Sequence, residues 1–336
     1  IVVRGAPDQH QEGNRELVHR CMVAQLDARR WHGRGYDTGV SEAPEVIELA
    51  VPTAYDLRAS FIMQRVGSRD PTSRKEHGRF VKSGMTPDGP TTIELVHHTT
   101  GKVRASAWGP GARWVLERAP AWLGGDDRPE TFAPEDPTVR RLAKRWVGLR
   151  LGKSPFPYDL HAGFVLQQRV TFGEAAESHR RIAYGFGEPA PGPFGTVLFP
   201  GYQALRRIPG YEYRRLGVDT KRATALIEAA RLASRVAQAA QESLDRVRRY
   251  LLAIPGTGPW TAEHLMGYAF GDSDALPTGD VHLPHDVTFA LTGEPWGSDD
   301  RMTELLEPFR PNRFRVLRLI TLVGPRRPYL DRGPPR

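Results

Sequence analysis

The stretch IPGTGPWTAEHL, residues 254–265, decides the fold. It places two glycines, two prolines and a tryptophan between segments whose apolar residues recur every three or four positions, a spacing typical of helices. Gly256 and Gly258 can adopt backbone angles that other residues resist and carry no Cβ, so another surface can approach them closely. The pattern predicts a helix, a hairpin at residues 255–258 and a second helix.

The start of the second helix is a predicted contact with DNA. Its free backbone N–H groups point outward with the positive end of the helix dipole behind them, which suits a phosphate. A helix–hairpin–helix of this kind grips the DNA backbone without reading sequence. Gly256, Gly258 and Thr261 are therefore predicted DNA contacts. A plain corner between helices is the alternative, and the small Ala262, where the helices pack closely, favours the hairpin.

Composition is consistent with a polyanionic partner. The chain has 336 residues, enough for two or three domains, and a formal net charge of +8. A solvated basic surface with no partner is the alternative. Cys21 is the single cysteine, which excludes a disulfide framework or a four-cysteine metal site within one chain and favours a reducing compartment.

Apolar runs in the sequence are short. None reaches the roughly 18 residues that span a bilayer, and the N-terminus lacks the order of a signal peptide. We therefore expect a soluble, monomeric chain in the cytoplasm, associated with the nucleoid if the source is bacterial, with no membrane partner.

Periodicity divides the chain into four parts. Residues 1–45 are polar without a sustained period and are expected to be a poorly ordered extension. Residues 46–128 contain TIELVHH and KVRASAW, which alternate with a period of two and predict antiparallel strands in a small α+β domain, followed by the predicted helix ARWVLERAPAWLGG. Residues 129–324 show helical periodicity throughout, and residues 325–336 are a proline- and arginine-rich tail, expected to be disordered.

Asp280 ends the segment DALPTGD, about twenty residues beyond the hairpin and just before another apolar-periodic segment. Taken alone, an aspartate in this position is a helix N-cap. Its combination with the hairpin and with the later FRPNRFR indicates a second role.

These segments resemble the helix–hairpin–helix, glycine-proline-aspartate (HhH-GPD) superfamily of DNA glycosylases, in particular the DNA-3-methyladenine glycosylase II branch. The resemblance rests on IPGTGPWTAEHL, DALPTGD, FRPNRFR and FVLQQRVT, and on GKVRASAWGPGARWVLERAPAWLGG, which is similar to the small β-rich domain of that branch. It covers most of residues 50–323. It implies a mostly α protein, in which a two-lobed, all-helical glycosylase domain follows a small α+β domain with an antiparallel sheet.

The resemblance also implies a mechanism. Such an enzyme flips the damaged nucleotide out of the duplex, and a carboxylate stabilises the positive charge that develops on the sugar, a role it assigns to Asp280. Relatives that also cut the DNA backbone carry a lysine at the position of Trp260, and this lysine forms a Schiff base with the sugar. Because the lysine is missing here, the resemblance implies monofunctional hydrolysis that leaves an abasic site. A tryptophan face suits stacking on an alkylated, cationic base. Packing of Trp260 in the core is the alternative.

Other residues have less specific assignments. Gln168 and Arg169 align with residues that fill the gap left by the flipped base, although Arg169 can equally be a surface charge. Arg313 matches a family arginine that supports the site or holds phosphate. His264 is either a base-pocket residue or a histidine on the helix surface. Thr321 falls near a pocket tryptophan of some members, which leaves the base preference open.

No catalytic metal or organic cofactor is expected. His282, His285 and Asp286 have a spacing compatible with one helix face, but Pro284 lies between the histidines and the sequence offers no further ligand. The resemblance allows a monovalent cation on the hairpin carbonyls around residues 253–258.

The leading prediction is a base-excision-repair glycosylase that removes alkylated bases, of the 3-methyladenine and 7-methylguanine type, from double-stranded DNA. The alternatives are a glycosylase for uracil or oxidised bases on the same fold, and a catalytically silent helix–hairpin–helix DNA-binding protein.

Overall fold

The computed structural model describes residues 43–98 and 101–327. The predicted extension at 1–45 lies almost wholly outside the described residues, as does most of the predicted tail at 325–336. No helix within the described part of the chain is long and apolar enough to cross a membrane.

The first part of the described chain is a five-stranded antiparallel sheet in the order β1-β5-β4-β3-β2. Its strands are β1 (Glu45–Ala50), β2 (Ser73–Glu76), β3 (Arg79–Thr86), β4 (Gly89–His98) and β5 (Lys102–Trp108). The two predicted strands lie in β4 and β5 and pair with each other, with Leu95 opposite Ala105. Both residues are fully buried, because the period-two pattern turns one face of the sheet toward the core.

The rest of the described chain is mainly helical, as predicted. The helices are α1 (Leu57–Ser60), α2 (Ala112–Trp122), α3 (Pro137–Arg145), α4 (Pro157–Gln167), α5 (Phe172–Phe186), α6 (Tyr202–Arg206), α7 (Gly210–Arg215), α8 (Thr220–Ala239), α9 (Leu244–Leu252), α10 (Pro259–Phe270), α11 (Leu283–Thr292), α12 (Asp299–Leu306) and α13 (Arg313–Val323). Two-residue strands β6 (Glu188–Pro189) and β7 (Val197–Leu198) pair between α5 and α6. The predicted fold class is confirmed, with this small β pair as an addition.

Local capping divides the region of helical periodicity, residues 129–324, into separate helices at two points. Between α4 and α5, Thr171 forms a capping box with Glu174, so a new helix begins there. Between α8 and α9, the side chain of Ser243 accepts a hydrogen bond from the backbone N–H of Arg246. The apolar period continues across both breaks, which is why periodicity alone did not reveal them.

Close packing fixes the helices that carry the site. A Cβ on Gly267 of α10 would lie 2.2 Å from the ring of Phe314 in α13, so only glycine allows these helices to approach so closely. On the other side, α4 is joined to the sheet by Lys82, whose Nζ lies 3.4 Å from a carboxylate oxygen of Asp159, both residues being buried. Helices α4 and α10 are therefore held in place before any ligand binds.

Candidate active site

The predicted hairpin is confirmed, and it connects α9 to α10. Gly256 has a φ of +83°, in the left-handed region that favours glycine. A Cβ at this position would lie 2.4 Å from the Cβ of Ala225 in α8. The fold of the protein itself therefore requires Gly256.

Gly258 differs from Gly256. Its φ of −84° is open to any residue. No atom of the described residues lies within 4 Å of a Cβ built on it. The helix that follows, α10, begins at Pro259 without a side-chain cap, so its first turn keeps unpaired donors. Unpaired donors at a helix start can bind a phosphate, so the predicted contact of this turn with DNA stays a prediction.

A buried contact between two side chains joins helix α4 to the hairpin. The Nε2 atom of His161 lies 2.8 Å from the hydroxyl of Thr257, and the two residues are only 3% and 4% exposed. Burial lowers the pKa of His161 to about 4, so the imidazole is neutral at physiological pH. This pair could not be predicted from the sequence, because His161 lies 96 residues from its partner.

Gln168 contacts the hairpin as well. Its side-chain N–H group donates to the carbonyl of Gly256 and to the hydroxyl of Thr261, both at 2.9 Å. Two predicted DNA contacts, Gln168 and Thr261, thus bind each other. The next residue, Arg169, is exposed and has a φ of +58°, a strained conformation of the kind that concentrates at functional sites.

Arg222 supports this turn from α8, and sequence reasoning missed it. Its buried guanidinium donates to the carbonyl of Leu166 at 3.0 Å, near the end of α4, and to the carboxylate of Asp219 at 2.6 Å. Gln168 and Arg169 therefore project from a braced helix end.

Asp280, the predicted catalytic residue, accepts three hydrogen bonds. The indole N–H of Trp260 donates to one carboxylate oxygen at 2.7 Å. The backbone N–H groups of His282 and Leu283 donate to the other at 2.7 and 2.9 Å. The N-cap of α11 is His282, so Asp280 is not the N-cap itself, but one of its oxygens binds the backbone N–H groups at the helix start and the other positions Trp260.

The hydrogen bonds set the charge of Asp280. Burial acts to raise its pKa, but the hydrogen bonds from Trp260, Leu283 and His282 outweigh burial, so the pKa lies below its ordinary value. Within the described residues no arginine or lysine forms an ion pair with this carboxylate. Asp280 is thus ionised at neutral pH, and within the described residues hydrogen bonds rather than an ion pair stabilise its charge.

Aromatic side chains line one face of α10 beside Asp280. Trp260, His264 and Tyr268 follow each other at four-residue spacing, with ring centroids 4.6 Å apart for the first pair and 6.1 Å for the second. Phe164 of α4 packs against all three. His264 is 9% exposed, so the alternative of a histidine on the helix surface is wrong. These side chains form an aromatic wall.

Arg318 of α13 braces the far end of this wall and was not predicted. Its guanidinium lies 4.8 Å from the centroid of the Tyr268 ring, and it donates to the Tyr268 hydroxyl at 2.9 Å and to the carbonyl of Ala59 at 2.7 Å. Arg318 is 4% exposed, so its role is internal support.

Arg313 is also a buried arginine. Its guanidinium donates to both carboxylate oxygens of Asp274, at 2.9 and 2.7 Å, and to the Asp274 carbonyl at 3.0 Å. Of the two roles open to this family arginine, these contacts favour support of the loop before Asp280. Later in that loop, Gly279 has a φ of +82° and its N–H donates to Asp299.

Within the described residues, the side chains of the candidate metal ligands and of Thr321 form no hydrogen bond, ion pair or ring contact with Asp280 or with the aromatic wall, although the backbone of His282 binds Asp280. The Nδ1 atom of His285 accepts from the N–H of Gly297, and its ring packs on Trp296, whereas His282 is exposed. Among residues 43–98 and 101–327, no group of three or more His, Cys, Asp or Glu side chains is placed to hold a metal. Thr321 donates to the carbonyl of Arg318. The monovalent cation stays a prediction.

Comparisons with known proteins agree with this geometry. A Mycobacterium tuberculosis protein described as a probable bifunctional transcriptional activator/DNA repair enzyme AlkA is 32% identical over 159 residues, 44% of this chain and 30% of the relative. A DNA-3-methyladenine glycosylase of Bacillus subtilis is 23% identical over 185 residues, 53% of this chain and 61% of the relative. The chain thus spans less than two thirds of either relative. No protein-family model matches it.

Solved structures share the architecture over nearly their whole length. A 3-methyladenine DNA glycosylase from Archaeoglobus fulgidus superposes with a TM-score of 0.67 at 18% identity, covering 82% of this chain and 97% of that one. An 8-oxoguanine glycosylase/lyase from Clostridium acetobutylicum gives a TM-score of 0.61 at 13% identity, covering 83% and 98%. The chain has the HhH-GPD glycosylase fold, and the resemblance predicted from its motifs is confirmed.

Proposed function

We propose that this chain is a monofunctional DNA glycosylase of base excision repair. It hydrolyses the N-glycosidic bond of a flipped alkylated base, of the 3-methyladenine or 7-methylguanine type, in double-stranded DNA and leaves an abasic site. The observation that carries the proposal is the state of Asp280. Neutral donors hold this carboxylate ionised beside an aromatic wall, with no cation of the described residues to cancel its charge.

Each part of the site has one task in this reaction. The open start of α10 grips a phosphate, and Arg169 fills the space that the flipped nucleotide leaves. The cationic base stacks near Trp260. As the C–N bond breaks, the bonding electrons return to the base, which leaves as a neutral molecule. Asp280 stabilises the positive charge on the sugar and orients the water that attacks it.

The residue at position 260 is the reason why we expect no lyase step. An amine there can attack the sugar and form a Schiff base, but the indole of Trp260 cannot, and its N–H is already bound to Asp280. We therefore expect no covalent complex when the protein is treated with borohydride on damaged DNA. A trapped complex would contradict the monofunctional assignment while leaving the glycosylase assignment intact.

Base-release profiling tests the main proposal. The protein is incubated with methylated DNA and with duplexes that contain uracil or 8-oxoguanine, and released bases are identified by mass. We expect release of methylated purines only. Release confined to uracil or 8-oxoguanine would instead support a glycosylase of different specificity. DNA binding without release of any base would support a catalytically silent binding protein.

A further inference from the structure

His264 has a defined tautomer. Its Nδ1 lies 2.8 Å from the backbone carbonyl oxygen of Trp260. A carbonyl oxygen can only accept a hydrogen bond, so Nδ1 carries the proton and donates. In the neutral ring, Nε2 then has no proton and presents a lone pair.

The lone pair of Nε2 is available to a ligand. Among the described residues Nε2 has no hydrogen-bond partner, although the residue is only 9% exposed. The ring itself is fixed, because Trp260 and Phe164 pack against it at 4.6 and 5.2 Å between centroids. The acceptor therefore has a set direction.

Burial and the groups around the imidazole of His264 determine its pKa. Burial, the largest influence, lowers the pKa of His264, and Arg318 of α13 adds to this. The hydrogen bond to Trp260 and the negative charge of Asp280 act in the opposite direction but are weaker. The ring packs on Trp260, whose indole N–H binds Asp280, so one aromatic side chain links His264 to the catalytic carboxylate. The hydroxyl of Tyr268, one turn further along α10, accepts a hydrogen bond from Arg318.

We infer that His264 is a specificity-determining residue, whose Nε2 accepts a hydrogen bond from an N–H group of the flipped base. The inference rests on the proposed function and narrows its substrate class to alkylated purines with an amino group, such as 3-methyladenine. Alkylated bases that carry no N–H donor, such as 1,N6-ethenoadenine, leave the acceptor unpaired in a partly dehydrated site, which costs binding.

Two substitutions at this position test the inference. His264→Phe keeps the aromatic ring and removes the acceptor, whereas His264→Gln keeps an acceptor near the position of Nε2. Release of each base is measured in single-turnover reactions with enzyme in excess. We expect His264→Phe to slow 3-methyladenine release about tenfold to a hundredfold, with little change for 1,N6-ethenoadenine, and His264→Gln to restore most of the difference.

The release rates of the two bases distinguish a failure of the inference about His264 from a failure of the proposed function. If the parent releases neither base, the proposed function fails. If it releases both and His264→Phe changes the two rates equally or not at all, only the inference fails. Nitrogen-15 NMR of the parent gives a check that needs no catalysis. We expect an unprotonated Nε2 at neutral pH, and a proton on Nε2 would overturn the inference.

Discussion

Two carboxylates in one loop show how differently a protein can use the same group. Asp274 lies against Arg313 at 2.7 Å and Arg310 at 3.0 Å, so guanidinium groups cancel its charge. Asp280, six positions later, accepts from an indole N–H and two backbone N–H groups, and no ion pair joins it to another described residue. Neutral donors stabilise the ionised form without neutralising it. Asp280 thus keeps its charge for a cationic transition state.

The sharpest test of this contrast is Asp280→Asn. The amide oxygen can still accept from the backbone N–H groups of α11, but the amide NH2 cannot accept from Trp260, so we expect the free energy of unfolding to fall by about 1 to 2 kcal/mol. The rate of base release should fall about 10²- to 10³-fold, because the charge that stabilises the sugar cation is lost. Single-turnover base release and thermal unfolding measure the two effects. A variant that unfolds and loses activity in parallel would contradict the proposed role.

Asp274→Asn should produce the opposite result. Arg313 is 9% exposed, and removing the charge of Asp274 leaves this buried guanidinium with the carboxylate of Glu307, 3.7 Å away, as its remaining charged partner among the described residues. We expect a loss of about 3 kcal/mol of stability, measured by urea denaturation. The folded fraction should release bases at nearly the parent rate. A large loss of activity in fully folded protein would show that Asp274 also acts in the reaction.

Local chemistry in the sequence was enough to predict the glycine–proline hairpin, the turn that ends in Asp280 and the helices on both sides. The partners of the polar side chains could not be predicted, because they come from distant segments. Arg313 lies 39 residues from Asp274, and Arg222 lies 56 residues from the carbonyl of Leu166. Periodicity and capping signals report only on neighbours in the chain.

Trp260→Phe tests how the charge of Asp280 is maintained. The substitution keeps an aromatic ring and removes the N–H that helps to lower the pKa of Asp280. Base release needs the ionised carboxylate, so activity is lost as the pH falls through this pKa. Without the indole bond the pKa rises, and we expect the acid limb of the pH–rate profile to move to higher pH. The maximum rate should fall about tenfold. An unshifted acid limb would show that the indole bond does not set this pKa.

Gly256 and Gly258 look alike in the sequence, but they differ in a similar way. The fold of the protein requires Gly256, whereas Gly258 is predicted to contact DNA. Gly256→Ala forces a strained φ and a contact with Ala225, so we expect it to destabilise the protein by about 1 to 3 kcal/mol. Gly258→Ala meets no atom of the described residues, so stability should change by less than about 0.5 kcal/mol.

Gly258→Ala should act on DNA binding, because the added methyl group lies where a phosphate approaches the start of α10. We expect its Kd for a duplex with an abasic site to rise about three- to tenfold. Thermal unfolding and fluorescence anisotropy, run on both glycine variants, separate the two effects. If Gly258→Ala binds DNA like the parent, the open start of α10 does not hold a phosphate, and the hairpin is only a corner between two helices.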